Sequence, residues 1–245
     1  MDQEEKNVRT VDRALSILDC FTREHPSLSL NEISKMINLS PSTVFRIVST
    51  LESRNYLARD PQSLLYRLGY RLINLGALYL ESIDIRDIAH PYLIELRDYY
   101  NESVGIYILN KGERVCADCV QSKQPLRRVI EVGTRKPLTR GASGKLLLAY
   151  MAEADIRQNL EQDPYVTSEE LSRIREEGYA ASFNEFEQGI SSVAVPVYGN
   201  DGEVCAALFL SGPLTRIDQE RVQDMVQKMK LVAAEISVKL GYTFT

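Results

Sequence analysis

The chain has 245 residues, of which 44% are apolar and 26% are charged, and it contains no tryptophan. This composition is typical of a folded globular protein and excludes a disordered, collagen-like or coiled-coil chain. No apolar run approaches the ~18 residues that cross a bilayer, and the acidic, polar residues 1–7 do not resemble a signal peptide. We therefore expect a cytoplasmic protein with one large domain or two smaller ones.

Charge is distributed unevenly along the chain. The formal net charge is −5, which by itself argues against nucleic acid as a partner. Residues 9–75, however, hold nine Lys and Arg against six Asp and Glu, a net charge of +3. A basic N-terminal part can bind DNA phosphates although the whole chain is acidic.

A first helix is predicted over residues 9 to about 23, because apolar residues recur there at three-four spacing. His25-Pro26 ends this helix. Its buried face is expected to hold Val11, Ala14, Leu15, Leu18 and Phe21.

The pattern of a helix-turn-helix comes next. Ser29 and Glu32 have the spacing of a capping box, which predicts a short second helix. After a turn at residues 38–40, Ser40 can cap a third helix that begins at Pro41, where the missing N–H costs nothing. Helices joined by such a turn are typical of this DNA-binding motif. The inward side chains are expected to be Ile33 and Met36 of the second helix and Val44, Ile47, Val48 and Leu51 of the third.

A wing and a linker helix are predicted after the helix-turn-helix. Strand-like runs at residues 56–59 and 65–68 flank turn residues 60–63 and predict a β-hairpin. A further helix is predicted over residues 70 to about 80. We expect a winged helix-turn-helix domain over residues 8–69, a linker helix over 70–84 and a second domain over 85–245.

The second domain alternates helices with strands, which predicts an α+β fold. Helices are predicted at residues 85–100, 142–151, 171–177 and 217–240. Strands are predicted at residues 104–109, 114–120, 192–198 and 204–211. The last two strands are expected to pair across turn residues 199–202.

The start of the third helix carries the candidate DNA-reading residues. Arg46 can engage guanine O6 and N7 through its planar fork, and Ser42 and Thr43 are suited to phosphates or base edges. The alternative is that Arg46 is a solvated helix residue. Phosphate contacts are expected from four further arginines, which could equally form a solvated face: Arg9, Arg59, Arg67 and Arg71.

Small residues at the start of the helix at 142 predict an anion site. Ala142 and Ser143 leave backbone N–H groups accessible at the positive end of the helix dipole. Arg140, two residues earlier, could pair with the same carboxylate through two hydrogen bonds. The alternatives are an ordinary helix cap, and an Arg140 that points to solvent or pairs with an acid of its own chain.

Cysteine and histidine are too few to indicate catalysis or metal binding. The chain has four Cys and two His, His25 and His90. Cys116 and Cys119 lie in one predicted strand, where a separation of three places side chains on opposite faces, so we interpret them as structural thiols. A nucleophile normally needs a positioned base, which weakens an enzyme interpretation. A carboxylate pair stays open as a catalytic alternative.

Ordered segments from residue 9 to residue 241 resemble the IclR family of bacterial transcriptional regulators. They are ALSILDCF, LSPSTVFRIVSTLESRNYLARDP with YRLG, DIRDIAHPYLIELRDYYNESV, GASGKLLLAYM, GYAASFNEFEQGISSVAVPV and ALFLSGP. The resemblance implies a winged helix-turn-helix, a linker helix and a C-terminal GAF-like domain that binds a small organic acid or aromatic effector. It also implies a dimer or tetramer.

The resemblance assigns DNA reading to Ser42, Thr43 and Arg46. Pro41 and Phe45 depart from the family pattern, so we expect an unusual operator. Thr139-Arg140 and Ser182-Phe183 replace residues that are His-Ala or acidic in relatives, so no metal is expected. The effector residues implied are Leu126, Val129, Ala142, Ser143, Ser182, Ile190, Ser192, Phe209 and Ser211. Arg140 joins them as a candidate because it precedes the predicted anion site.

Together these features predict an effector-responsive regulator that binds an inverted-repeat operator and controls a catabolic operon. We expect no catalytic residue, no cofactor and no membrane partner. The alternative is a small-molecule enzyme on the C-terminal domain, with the N-terminal domain as a partner-binding module.

Overall fold

The computed structural model describes residues 8–22, 24–82, 84–163 and 165–243. The chain divides into two compact units, which comprise residues 1–82 and residues 83–245. None of the helices in the described ranges combines the length and the apolar character that a membrane span requires. Two predictions concern residues outside the described ranges. One is that residues 1–7 are not a signal peptide, and the other is that the first helix ends at about Arg23.

The N-terminal unit is a winged helix-turn-helix followed by one helix. Its elements are α1 (Arg9–Asp19), β1 (Ser27–Leu28), α2 (Leu30–Met36), α3 (Pro41–Ser53), β2 (Leu57–Arg59), β3 (Tyr66–Leu68) and α4 (Arg71–Ser82). In the described part of this unit the strands form an antiparallel sheet in the order β1-β3-β2. The two-residue β1 was not predicted, because a pair of residues has no periodicity of its own.

The predicted caps form at the starts of α2 and α3. The Ser29 N–H donates to Glu32 Oε2 at 2.7 Å, and the Glu32 N–H donates to Ser29 Oγ at 3.3 Å, which completes the capping box. Ser40 Oγ accepts from the Thr43 N–H, with Pro41 in the first turn. Local side-chain chemistry therefore sets where both helices begin.

The predicted buried face of α1 is partly wrong. Ile17 is the fully buried residue of this helix, whereas Val11 and Leu15 are exposed. The core reaches α1 only near its C-terminal end, because the helix already ends at Asp19 and Phe21 enters the core from the following turn. Met36, expected inside, is the exposed last residue of α2.

The C-terminal unit is an α+β domain. Its elements are α5 (Ile85–Tyr100), β4 (Ser103–Asn110), β5 (Glu113–Val120), β6 (Arg135–Lys136), α6 (Ala142–Ala149), α7 (Glu153–Gln162), α8 (Ser168–Glu177), β7 (Ala180–Phe183), β8 (Ile190–Tyr198), β9 (Val204–Pro213) and α9 (Gln219–Lys239). The described strands form an antiparallel sheet in the order β6-β5-β4-β9-β8-β7. The predicted bounds of α5 are reproduced and the hairpin β8–β9 is confirmed, whereas β6, α7 and β7 were not predicted.

Both faces of the sheet are covered by helices. On β9, Leu208 and Leu210 face the cluster that contains α5 and α9, whereas Ala207 and Phe209 face the cluster that contains α6 and α8. Alternate residues of a strand point to opposite faces, so a strand buried on both sides becomes apolar throughout.

A β-bulge overturns the prediction that Cys116 and Cys119 lie on opposite faces. Ile106 pairs with Asp118, but the next residue, Tyr107, pairs with Cys116, so β5 carries one extra residue between them. The extra residue brings both cysteines to the same face, in or against the cluster around α6. A hydrogen bond with Cys119 and burial raise the pKa of the Cys116 thiol. No group of three or more metal-binding side chains occurs within the described ranges.

Candidate nucleic-acid interface and ligand cavity

Helix α3 turns one face into the core of its unit and the other into solvent. Val44 and Val48 are fully buried, whereas Ser42, Phe45 and Arg46 are exposed. Among the described residues the Arg46 guanidinium has no hydrogen-bond or ion-pair partner. An unpaired planar fork on the outer face of this helix can contact a base edge.

The two hydroxyl groups expected to touch DNA lie together at the start of α3. The Thr43 hydroxyl is 2.9 Å from Ser40 Oγ, and the Ser42 hydroxyl is 3.2 Å from the same atom. Phosphate contacts are favoured here, because N–H groups at a helix N-terminus and hydroxyl donors both attract an anion.

The wing holds its arginines in a defined arrangement. Arg59 donates from Nε to the Leu64 carbonyl at 3.2 Å, and its guanidinium carbon lies 5.4 Å from the centre of the Tyr66 ring. Arg67 lies on the paired strand opposite Ala58 and is exposed. Arg9 at the start of α1 and Arg71 at the start of α4 are also exposed.

The C-terminal unit contains a small cavity between the sheet, the start of α6 and the loop over residues 184–189. Its volume is about 40 Å³. Cations, serine hydroxyls and aromatic rings make up most of its lining, with one acid and two isoleucines. The lining is Tyr107, Arg114, Arg128, Ile130, Lys136, Gly141, Ser143, Ser182, Phe186, Glu187, Ile190, Ser192, Phe209 and Ser211.

The hydroxyls form a row across three strands. Ser182, Ser192 and Ser211 occupy paired positions on β7, β8 and β9. Ser182 Oγ lies 3.0 Å from Ser192 Oγ, and Ser211 Oγ donates to the Ser191 carbonyl at 3.1 Å. The structure therefore brings together six of the residues implied for effector binding: Ser143, Ser182, Ile190, Ser192, Phe209 and Ser211.

Two of the cavity cations are held by one acid. Glu187 accepts hydrogen bonds from the Arg128 guanidinium and lies 3.2 Å from Lys136 Nζ. Lys136 Nζ also lies 4.1 Å from the centre of the Phe186 ring. Burial lowers the pKa of Lys136, and the hydrogen bond and charge of Glu187 oppose this shift.

Arg114 is the third cation and lacks such a partner. It is 5% exposed, and its guanidinium carbon lies 5.1 Å from the Tyr107 ring centre and 5.7 Å from that of Phe186. Its Nε has no hydrogen-bond partner among the described residues. Burial lowers the pKa of Arg114 to about 10.

Glycine lets the start of α6 approach this arginine. A Cβ at Gly144 would lie 2.7 Å from the Leu138 carbonyl oxygen and 3.1 Å from a terminal nitrogen of Arg114. Gly141 also has a positive φ of 72° and packs beside the same guanidinium. The two glycines therefore allow a buried cation to lie against the helix N-terminus.

Four residues expected at the effector site do not line the cavity. Leu126 and Val129 are exposed, and Ala142 is buried in the core. Arg140 lies 3.2 Å from Asp163 and 4.6 Å from the Tyr165 ring centre. This pairing is the stated alternative, in which Arg140 binds an acid of its own chain.

The charged part of the cavity was not predicted from the sequence. Arg114 follows a turn at the start of β5, Arg128 lies in an irregular segment, and Lys136 belongs to the two-residue strand β6. From the sequence, each of these positions is typical of a solvated charge. Glu187 likewise belongs to a polar loop. No local signal distinguishes these four residues from ordinary surface charges.

The N-terminal unit is a helix-turn-helix with an exposed face on α3 and a wing, and the C-terminal unit is an α+β domain with a small charged cavity. This combination is typical of a ligand-responsive DNA-binding regulator. Two family models match the chain. The IclR helix-turn-helix domain matches residues 10–61, and the bacterial transcriptional regulator IclR C-terminal domain matches residues 77–238. The chain belongs to the IclR family of bacterial transcriptional regulators, as the resemblance implied.

Individual relatives agree with this membership over their whole length. The chain is 34% identical to the HTH-type transcriptional regulator XynR of Escherichia coli K12, over 96% of this chain and 98% of the relative. It is 31% identical to KdgR of the same organism, over 99% of this chain and 96% of the relative. The crystal structure of Pseudomonas aeruginosa HmgR has a TM-score of 0.87 at 24% identity, covers 97% of this chain and 100% of its own, and supports the fold.

Proposed function

We propose that this regulator controls a catabolic operon and that a small organic acid bound in the C-terminal cavity sets its affinity for the operator. The observation that carries the proposal is the cation-rich cavity, in which Arg114 forms no ion pair among the described residues and its Nε has no hydrogen-bond acceptor. Buried cations are costly unless they are paired, so the cavity favours an anion. The chemistry of the lining also suits an aromatic acid, because Tyr107, Phe186 and Phe209 offer ring faces.

On DNA, we propose that Arg46 reads a base and that Ser42 and Thr43 bind at the start of α3. Arg9, Arg59, Arg67 and Arg71 would contact phosphates, because each is exposed on an element of the same unit. These contacts predict binding that weakens steeply with salt.

We propose that the protein works as a dimer or tetramer on an inverted repeat. One helix-turn-helix buries too little surface for tight specific binding, and two-fold symmetry places two reading helices on successive half-sites. The exposed apolar residues Leu75 and Leu78 of α4 support self-association, since they are three residues apart, lie on one helix face and form exposed apolar surface of the kind found at interfaces.

We propose further that the domain is not an enzyme. The described lining contains serine hydroxyls but no histidine that could activate them. Because its proposed partner is DNA, we still expect the protein in the cytoplasm. The alternative, a small-molecule enzyme with a partner-binding module, predicts turnover of a ligand and no salt-dependent affinity for duplex DNA.

The test is fluorescence anisotropy with a duplex from the region upstream of the protein's own gene. We expect binding that is sequence-dependent, that falls with rising salt and that shifts when a panel of organic acids is added. Equal affinity for this duplex and for a scrambled duplex would contradict the proposal that the protein recognises an operator in that upstream region. A DNA affinity that no organic acid changes would contradict the proposed effector class.

A further inference from the structure

The loop over residues 184–189 is attached to the cavity by three consecutive side chains. Glu185 Oε1 lies 2.6 Å from Lys145 Nζ, and its other oxygen accepts from the Gly141 N–H at 3.3 Å. Phe186 covers Arg114 and Lys136, and Glu187 binds Arg128 and Lys136. Charged groups of the cavity therefore hold the loop in place.

The charges in the described lining do not balance. Arg114, Arg128 and Lys136 are three cations, and Glu187 is the one acid among the lining residues. Three positive charges and one negative charge leave a surplus of two. Glu187 already pairs with both Arg128 and Lys136. The nearby charge of Glu185 acts on Arg114, but among the described residues the two form no ion pair, and the Arg114 Nε has no hydrogen-bond acceptor. The position left for a further carboxylate therefore lies at Arg114.

The cavity is also too small for an organic acid while Glu187 occupies it. About 40 Å³ holds no more than a few water molecules, whereas ligand pockets have several hundred Å³. The Glu187 side chain is 36% exposed, so it has a route to solvent. Withdrawal of this side chain and of Phe186 would enlarge the cavity and leave Arg128 and Lys136 without a counter-ion.

We propose that Glu187 is an internal occupant of an anion subsite and that the effector is a dicarboxylic acid. One carboxylate of the effector replaces Glu187 on Arg128 and Lys136, and the other binds Arg114. This inference rests on the proposed function, because it assigns the effector to the same cavity.

Arg114 is suited to the second carboxylate. Its guanidinium is buried between two rings, and its Nε is without a hydrogen-bond acceptor in the part of the chain described. A carboxylate can accept two parallel hydrogen bonds from such a fork, and the exclusion of water strengthens each of them. The row of serines between the strands supplies further donors along the same cavity.

The test compares diacids with their half-amides on the full-length protein. Calorimetry with succinate, glutarate, adipate and phthalate, each beside its half-amide, keeps size constant and removes one charge. We expect at least one diacid to bind about tenfold or more tighter than its half-amide, since a charge-assisted hydrogen bond supplies that difference. A half-amide that binds as tightly as every diacid overturns the proposal.

Two variants test the roles of the residues separately. Glu187→Gln removes the internal competitor, so the best diacid should bind about tenfold tighter and the free protein should melt at a lower temperature. Arg114→Gln should abolish the difference between diacid and half-amide and should raise the melting temperature of the free protein, because a buried unpaired cation is removed. A merely structural role predicts lower melting temperatures for both variants and an unchanged diacid preference.

Arg140→Gln is the matched control, because it removes an arginine near α6 that does not line the cavity. It should leave the ratio of diacid to half-amide affinity unchanged. If only the half-amides bind tightly, each of which carries a single carboxylate, the dicarboxylate assignment is wrong while the proposed function stands. If neither the diacids nor their half-amides bind, both this inference and the proposed effector class are wrong. The anisotropy experiment tests DNA binding independently of this result.

Discussion

Lys145 Nζ lies 2.6 Å from Glu185 Oε1, which joins the buried helix α6 to the loop that closes the cavity. The same nitrogen lies 2.8 Å from Glu170 of α8, and the Lys145 side chain is 2% exposed. A fully buried lysine is stable only with such partners. This three-residue contact therefore fixes the start of α6, and with it one wall of the cavity.

We expect Lys145→Ala to lower the free energy of unfolding by about 3 kcal/mol, because it leaves two carboxylates and a cavity behind. Urea denaturation followed by circular dichroism measures the change. Lys123→Ala is the control, since Lys123 pairs with Asp98 at the surface and should cost about 0.5 kcal/mol or less. Similar losses in the two variants would show that the buried contact contributes little.

Arg46→Ala and Arg71→Ala should affect DNA binding differently. Arg46 lies on the reading face of α3, so its loss should cost about 1 to 3 kcal/mol on the specific site and relax sequence preference there. Arg71 lies at the start of α4, where a phosphate contact would weaken matched and scrambled duplexes alike. Binding isotherms on both duplexes separate the two roles, and equal losses on both for Arg46→Ala would remove it from base reading.

The operator should contain two half-sites related by an inverted repeat, with centres about one or two helical turns apart. We expect light scattering to give at least a dimer at micromolar concentration and footprinting to show two protected half-sites. Deletion of one half-site should weaken binding strongly, because half of the specific contacts are lost. A monomer with full affinity for a single half-site would contradict this arrangement.

Gly69→Ala should destabilise the wing. A Cβ at this position would lie 2.2 Å from the Asn55 carbonyl oxygen and 2.7 Å from the carbonyl carbon, both of which belong to the backbone and cannot rotate away. We expect a loss of about 1 to 3 kcal/mol, measured by urea denaturation, together with weaker operator binding.

Gly76→Ala is the matched control for that substitution. Gly76 lies within α4, and a Cβ there meets no atom within 4 Å. Because alanine favours a helix over glycine, this variant should gain about 0.5 to 1 kcal/mol. A comparable loss in both variants would mean that replacing glycine is destabilising at either position, and that the close approach to Asn55 does not account for the loss at Gly69.

Much of the fold could be predicted because its signals are local. Ser29 with Glu32, and Ser40 with Pro41, place the starts of α2 and α3 through hydrogen bonds that span only three residues. The start of α5 at Ile85 follows in the same way from Asp84, whose side chain accepts from the Arg86 N–H. Short elements such as β1 and β6 were missed, because two residues exist as a strand only through the partner that pairs with them.

The sequence by itself determined the family and the helix-turn-helix, since periodicity, caps and ordered motifs act over short distances. The family resemblance also implied Ser182, Ser192 and Ser211, but only the structure placed Ser182 on a strand, β7. Only the tertiary structure decided the character of the cavity. Arg114, Arg128, Lys136 and Glu187 are separated along the chain and meet through sheet pairing and loop closure. A charge has no periodicity that reveals its partner, so whether it lies in solvent or faces a buried cavity is decided by the packing of distant segments.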